Sequence, residues 1–194
     1  MTELERQAEE VLRAIGLEAG QSVLDFGCGS GTYTIPAAHI VGAGGEEARV
    51  YALDKAWWGI WPGEGLGKLA RRAQAENLQN IRVMKTSGQL SIDRDDASVD
   101  VVLAHDVLHS YYFSLDEIRA VLRELHRVLK PNGFLSLYPG DPEVSGASAQ
   151  LRDIQREIEQ AGFRAEAEYA GEVVHENTIT RGHVTRFRKT ERKQ

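Results

Sequence analysis

Apolar positions recur every three to four residues over 4–15, where Leu4, Ala8, Val11, Leu12 and Ile15 share one helical face and Gly16 offers a stop. The period then changes. Val23-Leu24-Asp25-Phe26 is a short, almost continuous apolar run of the kind a buried parallel strand shows, and it enters the turn Gly27-Cys28-Gly29-Ser30-Gly31. A helix is predicted over Thr32–Val41, with Pro36 tolerated near its first turn. Strand patterns follow at Val50–Asp54, at Ile81–Thr86 and, behind Val99 and Asp100, at Val101–Ala104, with a helix over Leu66–Ala75 between the first two. Ser114 and Glu117 form a capping box that opens a long helix. Its apolar face is Leu115, Ile118, Val121, Leu122, Leu125, Val128 and Leu129, and it ends at Lys130-Pro131-Asn132-Gly133. Phe134–Tyr138 reads as a fifth strand broken by Pro139-Gly140-Asp141-Pro142. An amphipathic helix with Leu151, Ile154, Ile158 and Ala161 then runs to Gly162, and two β-like stretches lie at Arg164–Tyr169 and about His183–Arg188.

Alternating strands and helices predict an α/β, doubly wound, mostly parallel sheet with helices on both faces and ligands at the carboxyl ends of its strands. The 194 residues fit one domain over 1–194, with no internal repeat. It divides into an N-terminal helix (1–19), a cofactor-binding core (20–165) and a C-terminal hairpin with a basic tail (166–194).

Composition narrows the partners. Hydrophobic content of 42% and charged content of 27% are ordinary for a globular protein, and no apolar run is long enough to span a bilayer. The start, Met1-Thr2-Glu3-Leu4-Glu5-Arg6, is unlike a secretory signal, so a cytoplasmic location is expected. A net charge of −6 supplies no field for nucleic acid, and a small or neutral substrate suits it better. The basic residues Arg186, Arg188, Lys189, Arg192 and Lys193 read as a solvated edge strand and tail. One cysteine, Cys28, excludes an internal disulfide and a cysteine-based metal cluster, and its place between two glycines suits a small filler of a crowded turn. No metal site is expected, since His175 and His183 lack a clear third ligand.

The chemistry converges on the glycine turn. Glycines at alternate positions permit a tight backbone with positive φ and let a ligand approach with no Cβ in the way, and the helix that follows aims its free N–H groups at the same space. A dinucleotide fingerprint, G-x-G-x-x-G, would place its third glycine at Thr32, whereas this chain has Gly31. Asp54 ends the second strand, where a carboxylate can accept two hydrogen bonds from a ribose diol.

The pattern Asp25-x-Gly27-x-Gly29-x-Gly31 resembles the first motif of the class I S-adenosylmethionine-dependent methyltransferases, and Arg127–Phe134 looks like that family's helix-turn-strand signature. The resemblance covers about residues 20–165. It implies a seven-stranded sheet closed by a C-terminal antiparallel hairpin. It also implies S-adenosylmethionine as cofactor, with S-adenosylhomocysteine as product, and a glycine loop that holds the methionine end. Cofactor contacts are then expected from Asp25, Gly27, Cys28, Gly29, Gly31, Tyr33, Asp54, Lys55, Ser87, Gly88, Gln89 and His105. Ser87 and Gln89, with Thr86, stand where relatives often carry an acid for adenine. The fourth strand would end at the sulfonium, which makes His105, Asp106 and His109 the candidates for acid/base work, with Tyr33 and Tyr138 as pocket walls.

The expected function is methyl transfer to a small-molecule acceptor by in-line displacement. Two rivals stand beside it: a non-catalytic module that binds the cofactor or a protein partner, and a nicotinamide-dependent oxidoreductase using the same strand and Asp54. All three tryptophans fall in Lys55–Gly65, where they could stack on a purine, form a lid, face a cation, plug a local core or make a homodimer contact.

Overall fold

A computed structural model of the chain describes residues 1–45, 49–55, 65–109, 112–140 and 147–190, with side chains described only from residue 152 in the last segment. Trp57, Trp58, Trp61, Arg192 and Lys193, the aromatic cluster and the end of the basic tail, lie outside the described residues.

The chain runs α1 (Glu3–Ala14), β1 (Val23–Phe26), α2 (Thr34–Gly42), β2 (Val50–Lys55), α3 (Leu66–Ala75), β3 (Ile81–Thr86) and β4 (Val99–His105). It continues through α4 (Leu115–Val128), β5 (Leu129–Tyr138), α5 (Ala147–Gln160), β6 (Phe163–His175) and β7 (Thr178–Lys189). The strands form one seven-stranded sheet in the order β3-β2-β1-β4-β5-β7-β6, in which β7 runs antiparallel to both β5 and β6 and the other pairs are parallel.

Strand residues alternate between two layers, as the pleat requires. Leu24, Leu53, Val102 and Ala104 pack with Ile118, Val121, Leu122 and Leu125 of α4 and Ile154 and Ile158 of α5. Val23, Val50, Val101 and Leu103 face the opposite layer, with Ala8, Val11 and Leu12 of α1 and Ala37, Ile40 and Val41 of α2. The helices therefore cover both faces, and β4, buried on both sides, is the centre of the core.

Local chemistry explains the element boundaries. Thr2 caps α1: its hydroxyl accepts from the Glu5 N–H at 3.2 Å while the Glu5 carboxylate accepts from the Thr2 N–H at 2.5 Å. Ser114 and Glu117 repeat the arrangement at α4. Leu115 departs from its expected place on the apolar face of α4: at the first helical position it is 43% exposed. α2 begins two residues later than its pattern predicts, because Gly31–Tyr33 stay in the turn.

Three corrections concern the C-terminal half. β5 starts at Leu129 rather than Phe134, with a register shift between the Val99–Leu129 and Val101–Phe134 pairs that absorbs the Pro131-Asn132-Gly133 turn. The hairpin is longer than its β-like stretches: β6 and β7 pair continuously to His175↔Thr178, and Glu176 and Asn177 both take positive φ (46° and 63°) in the two-residue loop. Arg186, Arg188 and Lys189 do not form a solvated edge, since β7 lies inside the sheet. The guanidinium groups of Arg186 and Arg188 pair with Glu166 at a bulge in β6, Arg186 also donates to the Ile15 carbonyl and Arg188 to that of Asn132, and Lys189 donates to the Leu129 carbonyl.

Candidate functional site

At the carboxyl ends of β1, β2, β3 and β4 the described residues enclose a cavity of about 640 Å³, a volume typical of small-molecule sites, roughly 300–1,000 Å³. Its wall includes Asp25, Gly27, Cys28, Gly29, Tyr33, Asp54, Lys55, Gly88, Gln89, His105 and Asp106, so one pocket gathers most of the residues that the sequence singled out.

The turn after β1 is shaped by Gly27, Gly29 and Gly31, all at positive φ, and the three differ in what a side chain would meet. A Cβ at Gly27 would run into Val107, and one at Gly31 would come within 2.5 Å of Leu69 Cδ1. At Gly29, φ +53°, a Cβ would meet nothing within 4 Å, and it would stand in the space the pocket offers a ligand. Gly31 thus serves the packing of α3 on the turn, and it and Ser87 lie outside the pocket wall.

Asp54 closes one side. Its carboxylate accepts from the Gly29 N–H at 2.6 Å and from the Lys55 N–H at 2.6 Å, one bond to each oxygen. Burial pushes its pKa up, while these two backbone bonds oppose the shift. Each oxygen keeps a lone pair for a further donor, so a ribose diol can still be accepted.

Asp25 is the floor rather than a free contact. It is 3% exposed and takes the Thr34 hydroxyl at 2.5 Å, and burial raises its pKa to about 7. Cys28 is equally inert, its thiol pushed far up by burial and by the neighbouring carboxylates. Gly88 lies in a tight turn after β3, where its N–H donates to the Thr86 hydroxyl at 3.1 Å.

His105, at the end of β4, is 7% exposed and packs edge-on against Tyr33, ring centroids 4.4 Å apart. Its Nε2 is 2.8 Å from the Ser136 hydroxyl, and its buried Nδ1 has no hydrogen-bond partner among the described residues. Burial lowers its pKa to about 3, so at neutral pH the ring is uncharged and a poor proton acceptor.

Asp106 follows with φ 55°, a left-handed conformation uncommon outside glycine that aspartate adopts more readily than most residues. One carboxylate oxygen is 2.7 Å from His109 Nε2 and the other 3.7 Å from His175 Nδ1. His109 stands behind Asp106 and outside the pocket wall, whereas His175, Glu176 and Asn177 are part of it. These three reach the site because the β6–β7 hairpin extends to it, and the Tyr33 hydroxyl fastens the hairpin by accepting from the Val174 N–H at 3.1 Å and donating to the Val174 carbonyl at 3.2 Å. The signal that would have found them is local: Glu176-Asn177 stands between the β-branched runs Val173-Val174 and Thr178-Ile179, a hairpin-loop pattern.

Residues 23–133, more than half of the chain, match the family model described as a methyltransferase domain. A demethylmenaquinone methyltransferase of Geobacillus stearothermophilus is 29% identical over 139 residues, 71% of this chain and 53% of that protein. The enzyme of the same name from Geobacillus kaustophilus is 30% identical over the same coverage. The chain thus spans about half the length of the curated relatives it matches. Among solved structures, an S-adenosylmethionine-dependent methyltransferase from Aquifex aeolicus superposes with a TM-score of 0.70 at 24% identity, over 92% of this chain and 88% of that one. The chain belongs to the methyltransferase domain family and has the class I, S-adenosylmethionine-dependent fold.

Proposed function

We propose that the protein binds S-adenosylmethionine in the pocket at the ends of β1, β2 and β4 and transfers its methyl group to a small-molecule acceptor by in-line displacement, with residues 1–194 acting as one domain. The observation that carries this reading is the pairing of Gly29 with Asp54: an open cradle at a glycine, and beside it a half-buried carboxylate placed for a diol. The relatives named for demethylmenaquinone, and not for a protein or a nucleic acid, support a small acceptor.

When bound, the cofactor supplies an electrophilic methyl carbon on a positively charged sulfur. Asp54, with Lys55 and Gln89 nearby on the wall, would hold the adenosine half, and the turn Gly27–Gly29 the methionine half. His105, uncharged, would stand as a wall of the site with its Nδ1 buried away from the ligand. Tyr33 and the hairpin tip would form one side of the site and Asp106 another, with His109 behind it holding its carboxylate. The enzyme's main contribution is alignment, which can supply several kcal/mol of the barrier.

Calorimetric titration with S-adenosylmethionine and S-adenosylhomocysteine, with NADH as control, tests the reading. Both adenosyl ligands should bind, and Asp54→Ala should weaken them about 10- to 100-fold, as expected for losing a charged acceptor of two hydroxyls. Folded protein that binds neither, or that prefers NADH, overturns it.

A further inference from the structure

The pocket holds a carboxylate and an imidazole that the binding of an adenosyl cofactor does not require. His175 lines the pocket with its side chain 14% exposed, its Nδ1 lying 3.7 Å from Asp106 and 3.4 Å from the Tyr138 hydroxyl. Its Nε2 forms no hydrogen bond among the described residues. Asp106 is clamped on several sides: its N–H donates to the Tyr138 carbonyl at 2.8 Å, His109 Nε2 meets its second oxygen at 2.7 Å, and Gly140 leaves room for both, since a Cβ there would strike the Asp106 carboxylate and come within 2.8 Å of His109 Cε1. A left-handed backbone at a non-glycine residue, held by a glycine approaching from another strand end, marks a carboxylate whose place is over-determined.

We propose that His175, oriented by Asp106, removes the proton from an acceptor that enters as a hydroxyl, so that the substrate class is phenols and enols. At 3.7 Å the Asp106 carboxylate makes no hydrogen bond to Nδ1, but its charge favours the tautomer with Nδ1 protonated, the Tyr138 hydroxyl at 3.4 Å is placed to accept that proton in a hydrogen bond, and the Nε2 lone pair is left to act. Thiols near neutral pH furnish enough anion to attack without a base, whereas a hydroxyl does not. Val107, Val174, Tyr112 and Phe113 give the same pocket apolar and aromatic walls, which fit a flat ring better than a sugar or a carboxylic acid. In the step, the acceptor oxygen bonds to the methyl carbon as the carbon–sulfur bond breaks with its electron pair going to sulfur. The hydroxyl proton passes to His175 Nε2 and leaves to solvent with the product. Asp106 is the positioning residue, and His109 holds it.

The inference rests on the cofactor reading above, and the experiment separates the two. Methyl-tritiated S-adenosylmethionine is supplied with 1-naphthol or 1-naphthalenethiol, acceptors of one shape that differ in the acidity of the reacting atom. The wild-type protein should methylate both. His175→Ala should lose about 100-fold or more on naphthol, recover at least about tenfold with added imidazole, and lose at least about tenfold less on the thiol and in S-adenosylhomocysteine affinity than on naphthol. Asp106→Asn should lower kcat for naphthol with KM little changed, and the ¹⁵N shifts of His175, which show a protonated Nδ1 in the wild type, should lose that preference. Equal loss on both acceptors, absence of imidazole rescue, an unchanged tautomer in Asp106→Asn, or no turnover of naphthol by protein that binds S-adenosylhomocysteine overturns the proposal. Failure to bind S-adenosylhomocysteine overturns the cofactor reading instead.

Discussion

His105 lies among aromatic rings, with Tyr33 at 4.4 Å and Tyr138 at 6.3 Å between centroids, and burial holds its pKa at about 3 against an ordinary 6.5. Between those values the unfolded chain binds a proton that the native ring refuses. The stability His105 contributes is therefore complete above pH 6.5 and is lost as the pH falls towards 3. His105→Gln, which keeps a polar partner for Ser136, should flatten that part of the curve, recovering a few kcal/mol (order of magnitude) near pH 3 in urea titrations taken at a series of pH values. Asp25 acts in the opposite sense, since its pKa of about 7 against 3.8 means the native state keeps a proton that the unfolded chain releases as the pH rises. At this scale the sequence was legible where the chemistry is local: glycines two apart and an acid at a strand end carry their reasons with them. His175 carries none alone, for its importance comes from Asp106, 69 positions away by subtraction of the two residue numbers.

Periodicity located the helices and the buried parallel strands, because one face or both must be apolar for them to pack. It located only the ends of the hairpin. Beyond the β-like stretch Arg164–Tyr169, β6 is exposed or half-buried from Ala170 to Glu172 and Gly171 interrupts it, so no alternation announces that part of the strand. Its loop nevertheless obeys a simple rule. Glu176 and Asn177 both sit at positive φ, and glycine relieves that cost at the second position. Asn177→Gly should raise stability by about 0.5–1 kcal/mol, seen as an upward shift of Tm, with the pocket otherwise unchanged.

Across the molecule, one side chain joins the N-terminal helix to the site. Arg72 of α3 donates to Glu5 of α1 at 2.7 Å and to the Ser30 carbonyl of the glycine turn at 2.7 Å, with the Glu5 side chain only 8% exposed. Arg72→Ala leaves that carboxylate buried without its cation and should cost about 2 kcal/mol in chemical denaturation. It should also weaken S-adenosylhomocysteine binding in calorimetry, whereas loss of stability with unchanged affinity would confine Arg72 to scaffolding. This lock was not legible, because Glu5 and Arg72 each read as an ordinary solvated charge on an amphipathic helix. The bond between Tyr33 and Val174 spans 141 positions of sequence, and it is this bond that brings the hairpin tip to the pocket. Contacts so distant along the chain form late, after the entropy of closing the intervening loop has been overcome. The cofactor floor, built from β1, β2 and β4, rests on pairings nearer along the chain than the one that carries the wall with His175, so the two halves of one pocket depend on contacts of very different reach.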